Sequence, residues 1–298
     1  GLRPTPGVKR SRRRLREQGL LPEAGVEPEA GVEPDRGPAR PGPAARWRQR
    51  GRSGDGAALA FDRVWYEVPR GPVILRGLAL RVGPGERVAL MGRNGAGKST
   101  LLRHAAGLMR ATRGEVTAAG HVALLLQNPT DYLVHDTVAQ EAPAHALQAV
   151  GLDPVALGSR HPRDLSGGEK QRLALAIVMG READEPSPAV LCLDEPTRGM
   201  DRGVKDELAR LLRSLSGTAV VVATHDPEFA AAVADRVVLL ADGAVIADGP
   251  VAEVLCGGTY FATETARILG GAGGALLPEQ GVALISPGAG VVTEAAPA

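Results

Sequence analysis

The sequence predicts an α/β protein whose central sheet is mainly parallel and covered by helices on both faces. Short apolar runs such as Ala189–Leu193 and Ala219–Thr224 have the length and residue types of buried strands. Segments with helical spacing of apolar residues alternate with these runs, as in sheets built from strand–helix–strand units. A glycine-rich loop, Gly92–Ser99, lies between one such strand and one such helix. Together these observations predict a fold with a phosphate site at the loop.

The loop has the spacing G-x-x-x-x-G-K-S, which is typical of a phosphate-binding loop. Its glycines allow backbone N–H groups to turn toward phosphate oxygens, and the following helix adds its positive end. Lys98 is expected to reach the β- and γ-phosphates, and the Ser99 hydroxyl to hold Mg²⁺. A glycine-rich turn without a ligand is the alternative. The residues expected to contact the nucleotide here are Gly92, Arg93, Asn94, Gly95, Ala96, Gly97, Lys98, Ser99 and Thr100.

Polar side chains follow three other predicted strands. Asp194 ends a buried strand, where a carboxylate can hold Mg²⁺, and Glu195 is placed to orient a water or accept its proton. His225 ends the neighbouring run and is a candidate for a hydrogen bond to the γ-phosphate. The amide of Gln127 is a candidate contact to Mg²⁺ or water. Solvated or internally hydrogen-bonded strand ends are the alternative for each.

A second candidate anion site begins a helix after residue 165. Ser166 is a plausible N-cap, and Gly167 and Gly168 leave the first N–H groups of the helix accessible. One phosphate-binding loop does not need a second phosphate site. The segment Leu165, Ser166, Gly167, Gly168 and Glu169 is therefore expected to contact a nucleotide held by a different subunit.

Composition divides the chain. Residues 1–56 are rich in Pro, Gly and Arg, carry a tandem Glu-Ala-Gly-Val-Glu-Pro repeat and show no hydrophobic periodicity, so a disordered basic linker is expected. Residues 57–250 are expected to form the folded domain, with a helical part at about 128–180. Residues 271–298 are Gly- and Ala-rich, and a loosely ordered tail is expected there. The two cysteines fit no metal spacing, and no apolar run has the length of a membrane span.

The ordered motifs resemble those of the ATP-binding cassette (ABC) ATPases. Gly92–Ser99 resembles Walker A, Gln127 the Q-loop, Leu165–Glu169 the LSGGE signature, and Val190–Glu195 Walker B. In the same way, Thr197–Asp201 resembles the D-loop, with Asp201, and His225 the switch histidine. The resemblance implies a RecA-like P-loop NTPase core with an antiparallel β subdomain and a helical subdomain, and ATP and Mg²⁺ as cofactors. It further implies catalytic roles for Glu195, His225, Lys98 and Gln127, and metal contacts from Ser99, Gln127 and Asp194.

A finer resemblance is to the ATPases of energy-coupling factor (ECF) importers for vitamins and transition metals. Gln127–Leu133 is similar to their Q-N-P-x-D-x-L segment, and Glu195–Asp201 to their E-P-T-R-G-L-D form. Residues 260–269 resemble their tail, which implies a C-terminal helix at 251–270. The family stacks adenine on an aromatic residue near the first strand. Val68 occupies that position here, and the nearby Tyr66 is the candidate contact.

The resemblance also implies partners. A head-to-tail dimer would face the Walker A loop of one cassette with the signature of another, which can be identical, different or fused to this chain. The cassette would act at the cytoplasmic face of the cell membrane on a transmembrane subunit, with a substrate-binding membrane subunit in an ECF-type importer. An exporter ATPase, a catalytically weak cassette half, and a non-transport ABC ATPase acting on nucleic acid or ribosomes are the alternatives. No nucleic-acid partner is expected, because the motifs lie too close together for an inserted coiled coil.

Overall fold

The computed structural model describes residues 8–17, 56–180, 187–257 and 261–285. Its centre is a six-stranded sheet in the order β5-β6-β7-β3-β8-β9. All neighbouring strands in it run parallel except the antiparallel pair β8 and β9. The predicted, mainly parallel α/β sheet is thus confirmed. The six strands are β3 (Arg87–Gly92), β5 (Val122–Leu125), β6 (Val190–Asp194), β7 (Ala219–Ala223), β8 (Arg236–Ala241) and β9 (Ala244–Pro250).

Side chains on the two faces of this sheet belong to two different cores. In β6, Leu191 and Leu193 pack into one cluster, while Val190 and Cys192 pack into the other. Every residue of β6 and β7 is buried. This explains why these strands are continuous apolar runs, since a strand covered on both faces has no solvent side to make polar. Burial of its thiol raises the pKa of Cys192 to about 12, as befits a small core residue.

A smaller antiparallel sheet forms a second layer. Its order is β2-β1-β4, with β1 at Leu59–Glu67, β2 at Val73–Val82 and β4 at Arg113–Ala118. The buried residues of β1 and β2 pack into the same core as one face of the large sheet. The smaller sheet thereby holds the loop after β3 from one side.

Five of the described helices begin at a side-chain cap, as the polar residue before each of them predicts. Asp201 accepts a hydrogen bond from Val204 N–H, and Asp226 accepts one from Phe229 N–H. The helices are α1 (Val8–Glu17), α2 (Lys98–Ala105), α3 (Val138–Glu141), α4 (Ala144–Ala149), α5 (Pro154–Leu157), α6 (Gly167–Met179), α7 (Arg202–Ser214), α8 (Pro227–Val233), α9 (Val251–Gly257), α10 (Glu264–Leu269) and α11 (Pro278–Ile285). Short 3₁₀ turns lie at Pro129–Tyr132, Pro162–Asp164 and Ala272–Gly274.

Both chain ends differ from the expectation of disorder where the structure describes them. Helix α1 lies within the expected linker, and its Leu15 packs with Leu269 and Ala275 in a small cluster of its own. Helix α11 lies within the expected tail, and Ile285 packs against the same cluster. The expectation missed this pairing because the pairing depends on contacts between segments that lie far apart in the sequence. Residues 1–7, 18–55 and 286–298 lie outside the described residues, as does Tyr260.

No helix in the described ranges is both long enough and apolar enough to cross a membrane. The helices between the 3₁₀ turn at Pro129 and the end of α6 are short apart from α6 itself.

Candidate functional site

A cleft of about 680 Å³ lies at the carboxyl ends of β3, β6 and β7. This is where ligands bind in open parallel sheets. The cleft brings together residues that are far apart in the sequence. It is lined by Ile74, Asn94, Gly95, Gly97, Lys98, Ser99, Thr100, Gln127, Asp194, Glu195, Arg198 and His225.

Lys98 begins α2 and is held inside the loop that precedes it. Its ammonium group donates to the backbone oxygen of Gly92 at 2.8 Å and to that of Arg93 at 3.4 Å, and its side chain is almost fully buried. Gly92 and Arg93 therefore serve the site through their carbonyls, since neither lines the cleft. Ala96 is also buried, and its N–H donates to Arg93 O at 3.1 Å to close the turn.

Two glycines of the loop are required by its geometry. Gly92 has φ 153°, and a Cβ there would lie 2.4 Å from the backbone oxygen of Leu240 on β8. Gly97 has φ 101° in the left-handed region, and a Cβ there would lie 3.0 Å from Leu75 Cδ2. Gly97 occupies the N-cap position of α2 without a side-chain cap. The positive end of the helix therefore faces the cleft without an intramolecular side chain bound to it.

Asp194 ends β6 with a carboxylate oxygen that lacks a partner. The residue is 4% exposed, and its Oδ1 is buried without a hydrogen-bond partner among the described residues. A buried carboxylate oxygen without a partner is costly and usually marks a site for a cation or ordered water. Ser99 and Gln127 line the same cleft. The donor set, two neutral oxygens and one carboxylate, suits Mg²⁺, which prefers oxygen ligands.

Glu195 and His225 form a direct pair at the mouth of the cleft. Nδ1 of His225 lies 2.7 Å from Oε2 of Glu195. The Glu195 side chain is largely buried at 13% exposure, whereas that of His225 is 69% exposed. Glu195 has φ 48°, a left-handed backbone conformation that costs about 1–3 kcal/mol for a residue other than glycine. Its N–H donates to Ala223 O on β7 at 2.8 Å, which fixes this turn against the neighbouring strand.

The five predicted signature residues, Leu165–Glu169, do not line this cleft. Ser166 is the N-cap of α6, with Glu169 N–H donating to Ser166 Oγ at 3.3 Å and Ser166 N–H donating to the Glu169 carboxylate at 2.8 Å. Hydrogen bonding of the Glu169 carboxylate to the Ser166 hydroxyl group and to the Ser166 N–H holds the pKa of Glu169 below its ordinary value. A Cβ on Gly167 would meet no atom within 4 Å, whereas one on Gly168 would lie 2.8 Å from Val204 Cγ1. The helix start at Gly167 is thus open to an outside ligand, while Gly168 packs on α7.

The helix after the predicted D-loop is tied to the segment that carries His225. Asp201 caps α7, and Lys205 of the same helix donates to Asp226 Oδ2 at 2.6 Å. Asp226 directly follows His225 and caps α8. The position of the histidine is therefore linked to α7 by one ion pair.

Tyr66 is not among the residues that line the cleft, and its role as a nucleotide contact stays a prediction. Its ring packs edge-on against His104 of α2, with 4.8 Å between ring centroids. Tyr66 is partly buried against the core that the smaller sheet shares with α2. Sequence reasoning missed two cleft residues, Ile74 and Arg198. Arg198 lies within the predicted D-loop segment, which could have indicated it. Ile74 has nothing in its sequence context that distinguishes it from other strand residues.

Comparison with known proteins identifies this arrangement. The family model described as "ABC transporter" matches residues 75–198, which include the loop, Gln127, the signature segment and Asp194–Glu195. The energy-coupling factor transporter ATP-binding protein EcfA of Methanothermobacter thermautotrophicus is 35% identical over 223 residues, covering 63% of this chain and 70% of that protein. The chain belongs to the family of ABC transporter ATP-binding proteins. As a member of this family of ATPases, it carries the ATP-binding fold.

Two further similarities place the ABC cassette among known proteins. An ABC transporter ATP-binding protein of Streptomyces coelicolor is 43% identical over 256 residues, covering 76% of this chain and 45% of that protein. The cassette chain thus spans less than half the length of this relative. The structure of CbiO1 from Clostridium perfringens, part of the ABC transporter complex CbiONQ, superposes with a TM-score of 0.61 at 27% identity, covering 67% of this chain and 91% of CbiO1. The ABC ATPase fold predicted from the motifs is therefore confirmed.

Proposed function

We propose that this ABC cassette binds and hydrolyses ATP to energise a membrane importer of the ECF type. One observation supports hydrolysis above the others. The acidic side chain of Glu195 lies in direct contact with His225 at the edge of a cleft that also holds Lys98 and an unpartnered oxygen of Asp194. A site built for nucleotide binding alone has no need of a strained, mostly buried glutamate beside a histidine.

Binding of the triphosphate depends on groups that already lie in place. The positive end of α2 faces the cleft, and the Lys98 ammonium group is held by two backbone oxygens, from which it can turn to the β- and γ-phosphates. Preorganised donors stabilise developing negative charge without a reorganisation cost at the moment of reaction. Positioning and charge neutralisation supply most of the catalysis in phosphoryl transfer.

Mg²⁺ fits the cleft as the accompanying cation. Ser99, Gln127 and Asp194 would hold it, together with phosphate oxygens of the nucleotide. The unpartnered Asp194 Oδ1 is the feature of this structure that supports that assignment. When bound, the cation neutralises negative charge on the phosphates.

Glu195 is the group placed to orient the attacking water and accept its proton. Its carboxylate contacts His225, and the imidazole can turn toward a γ-phosphate because more than half of the His225 side chain faces solvent. Transfer of that contact from Glu195 to the phosphate would release the carboxylate for the water.

Import of the ECF type is supported by two similarities. One relative carries the name of an energy-coupling factor ATPase, and CbiO1 is described as part of the complex CbiONQ. Under this proposal the partners are a transmembrane subunit, a substrate-binding membrane subunit and a second cassette, and the site of action is the cytoplasmic face of the membrane. The outward-facing start of α6 at Gly167 supports a composite nucleotide site shared with a second cassette.

The direct test is the variant Glu195→Gln. It keeps the size and a hydrogen bond to His225 but removes the base, so we expect ATP affinity within about threefold of wild type and a turnover lower by about 100-fold or more. Binding of a fluorescent ATP analogue and release of phosphate measure the two. Turnover at the wild-type rate in this variant would refute the role of Glu195.

The same variant tests the composite site. Blocked hydrolysis should trap the closed dimer, so light scattering with Mg-ATP should show a shift from monomer to dimer if the cassette pairs with its own copy. A nucleotide-bound monomer would show that the second cassette is a different one. Reconstitution with membrane subunits of ECF type, followed by uptake of labelled vitamin or metal ion, tests the importer assignment.

A further inference from the structure

Tyr132 lies in the 3₁₀ turn that follows Gln127, at one of the two positions of its segment for which the family resemblance specifies no residue. Its hydroxyl group makes two hydrogen bonds to the backbone of the preceding strand. It accepts from Leu126 N–H at 2.9 Å and donates to Leu124 O at 2.9 Å. The Tyr132 hydroxyl thus joins the N–H of Leu126 to the carbonyl oxygen of Leu124.

The place of these hydrogen bonds in the sheet gives them their importance. Strand β5 is at the edge of the six-stranded sheet and pairs with β6 alone among the described strands. Backbone groups on the outer side of an edge strand have no strand partner. The Tyr132 hydroxyl takes the place of that partner at the last residues before Gln127.

The ring of Tyr132 connects this strand end to the signature helix. It is partly buried against the core cluster that contains Leu173 and Ala174 of α6, and the turn Pro129–Tyr132 packs on α6. Burial raises the pKa of the phenol above its ordinary value, despite the opposing hydrogen bond from Leu126 N–H. The hydroxyl therefore stays protonated at neutral pH and can keep donating to Leu124 O.

We propose that Tyr132 is a positioning residue for Gln127, because its hydroxyl ties the backbone directly before Gln127 to the turn that packs on helix α6. This inference depends on the proposed ATPase function. Gln127 follows Leu126 directly and lines the cleft, so a shift of the strand end moves its amide relative to Asp194 and Ser99.

The variant Tyr132→Phe keeps the ring and removes only the hydroxyl group. The matched control is Thr218→Val, which removes one buried hydrogen bond, from Thr218 Oγ1 to Pro188 O at 2.9 Å, at the opposite end of the sheet. We expect kcat for ATP to fall by about three- to tenfold in Tyr132→Phe with KM within twofold, and to stay within twofold in Thr218→Val. We expect less than the roughly 100-fold loss that a 1 Å misplacement can cause, because the hydroxyl acts on Gln127 only through the backbone before it.

Two further readouts separate positioning from general loss of stability. Amide hydrogen exchange of the peptide containing Leu126 should be faster in Tyr132→Phe than in wild type and unchanged in Thr218→Val. In a Gln127→Ala background, Tyr132→Phe should lower kcat by less than twofold, because residues that act through one another are not additive.

The outcomes are distinct. An unchanged kcat in Tyr132→Phe, or an equal loss in both backgrounds, would overturn the assignment while leaving the ATPase function standing. Absence of hydrolysis in the wild-type chain, alone and with a second cassette, would contradict the proposed function and with it this inference.

Discussion

Lys205 and Asp226 form an ion pair of 2.6 Å that joins helix α7 to the residue directly after His225. Both side chains are mostly buried, at 30% and 16% exposure. Burial raises the pKa of Asp226, but hydrogen bonds from Lys205 and from Phe229 N–H outweigh it, and the net pKa lies below the ordinary value of 3.8.

This pair predicts an acid-dependent loss of stability. A carboxyl group whose pKa is lower in the folded state adds stability that is present above its ordinary pKa and lost as pH falls through the folded-state pKa. In Lys205→Met the Asp226 pKa should rise toward its unfolded-state value, so the free energy of unfolding should fall by less between pH 6 and pH 2 than it does in wild type. Urea unfolding between pH 2 and 6 measures it.

Arg210→Met is the control for that experiment, since it removes an exposed cation from the same helix. Its pH profile should follow that of wild type. Identical profiles for Lys205→Met and wild type would show that the ion pair does not set the Asp226 pKa.

The contact between His225 and Glu195 makes a separate prediction for turnover. His225→Ala removes both the contact to Glu195 and the group available to the γ-phosphate, so kcat should fall by about 100-fold or more while ATP affinity changes little. Because the His225 side chain is mostly exposed, the free energy of unfolding should change by less than about 0.5 kcal/mol. Phosphate release and thermal unfolding measure the two; a large loss of stability would argue that the histidine is structural.

Lys98 predicts the opposite pattern. Lys98→Met keeps the buried aliphatic stem but removes the charge that faces the phosphates, so ATP affinity should fall by about tenfold or more. AMP, which lacks the β- and γ-phosphates, should lose little affinity. Equal losses for ATP and AMP, measured by competition with a fluorescent analogue, would contradict the assigned phosphate contact.

Gly168 and Val204 offer a test by compensation. Gly168→Ala places a methyl group 2.8 Å from Val204 Cγ1, and the strain should lower the free energy of unfolding by about 1–3 kcal/mol. Adding Val204→Ala should restore much of that loss. Gly167→Ala is the matched control, because a Cβ there meets open space. If Val204→Ala only adds to the loss, the contact does not limit the packing of α6 on α7.

The sequence indicated which residues lie together at the cleft, but it did not indicate which atoms of these residues contact one another. Lys98, Asp194, Glu195, Gln127 and His225 each follow an apolar run or the glycine loop, and parallel strands bring such ends together. Contacts between distant segments carried no such signal. Neither the packing of Leu15 on Leu269 nor the turning of Tyr66 toward His104 follows from local periodicity, because both depend on the tertiary arrangement.

The Tyr132 hydroxyl and the left-handed backbone of Glu195 were also beyond sequence reasoning. The first replaces a strand partner whose absence is known only from the sheet order. The second is a strained conformation that the hydrogen bond from Glu195 N–H to Ala223 O helps to maintain. The residue type at position 195 does not predict it.

The division of β6 between two cores has a consequence for the chemistry. Because alternate side chains of this strand fill cavities of different shape on opposite faces, a shift by one residue would place Leu191 where Cys192 belongs and Val190 where Leu191 belongs. Asp194 is the last residue of that strand, and Glu195 directly follows it. Insertion or deletion of a single residue between Val190 and Leu193 would therefore displace both carboxylates, although every catalytic side chain would still be present in the sequence. The packing of the hydrocarbon side chains in β6 thus determines where the two carboxylates lie.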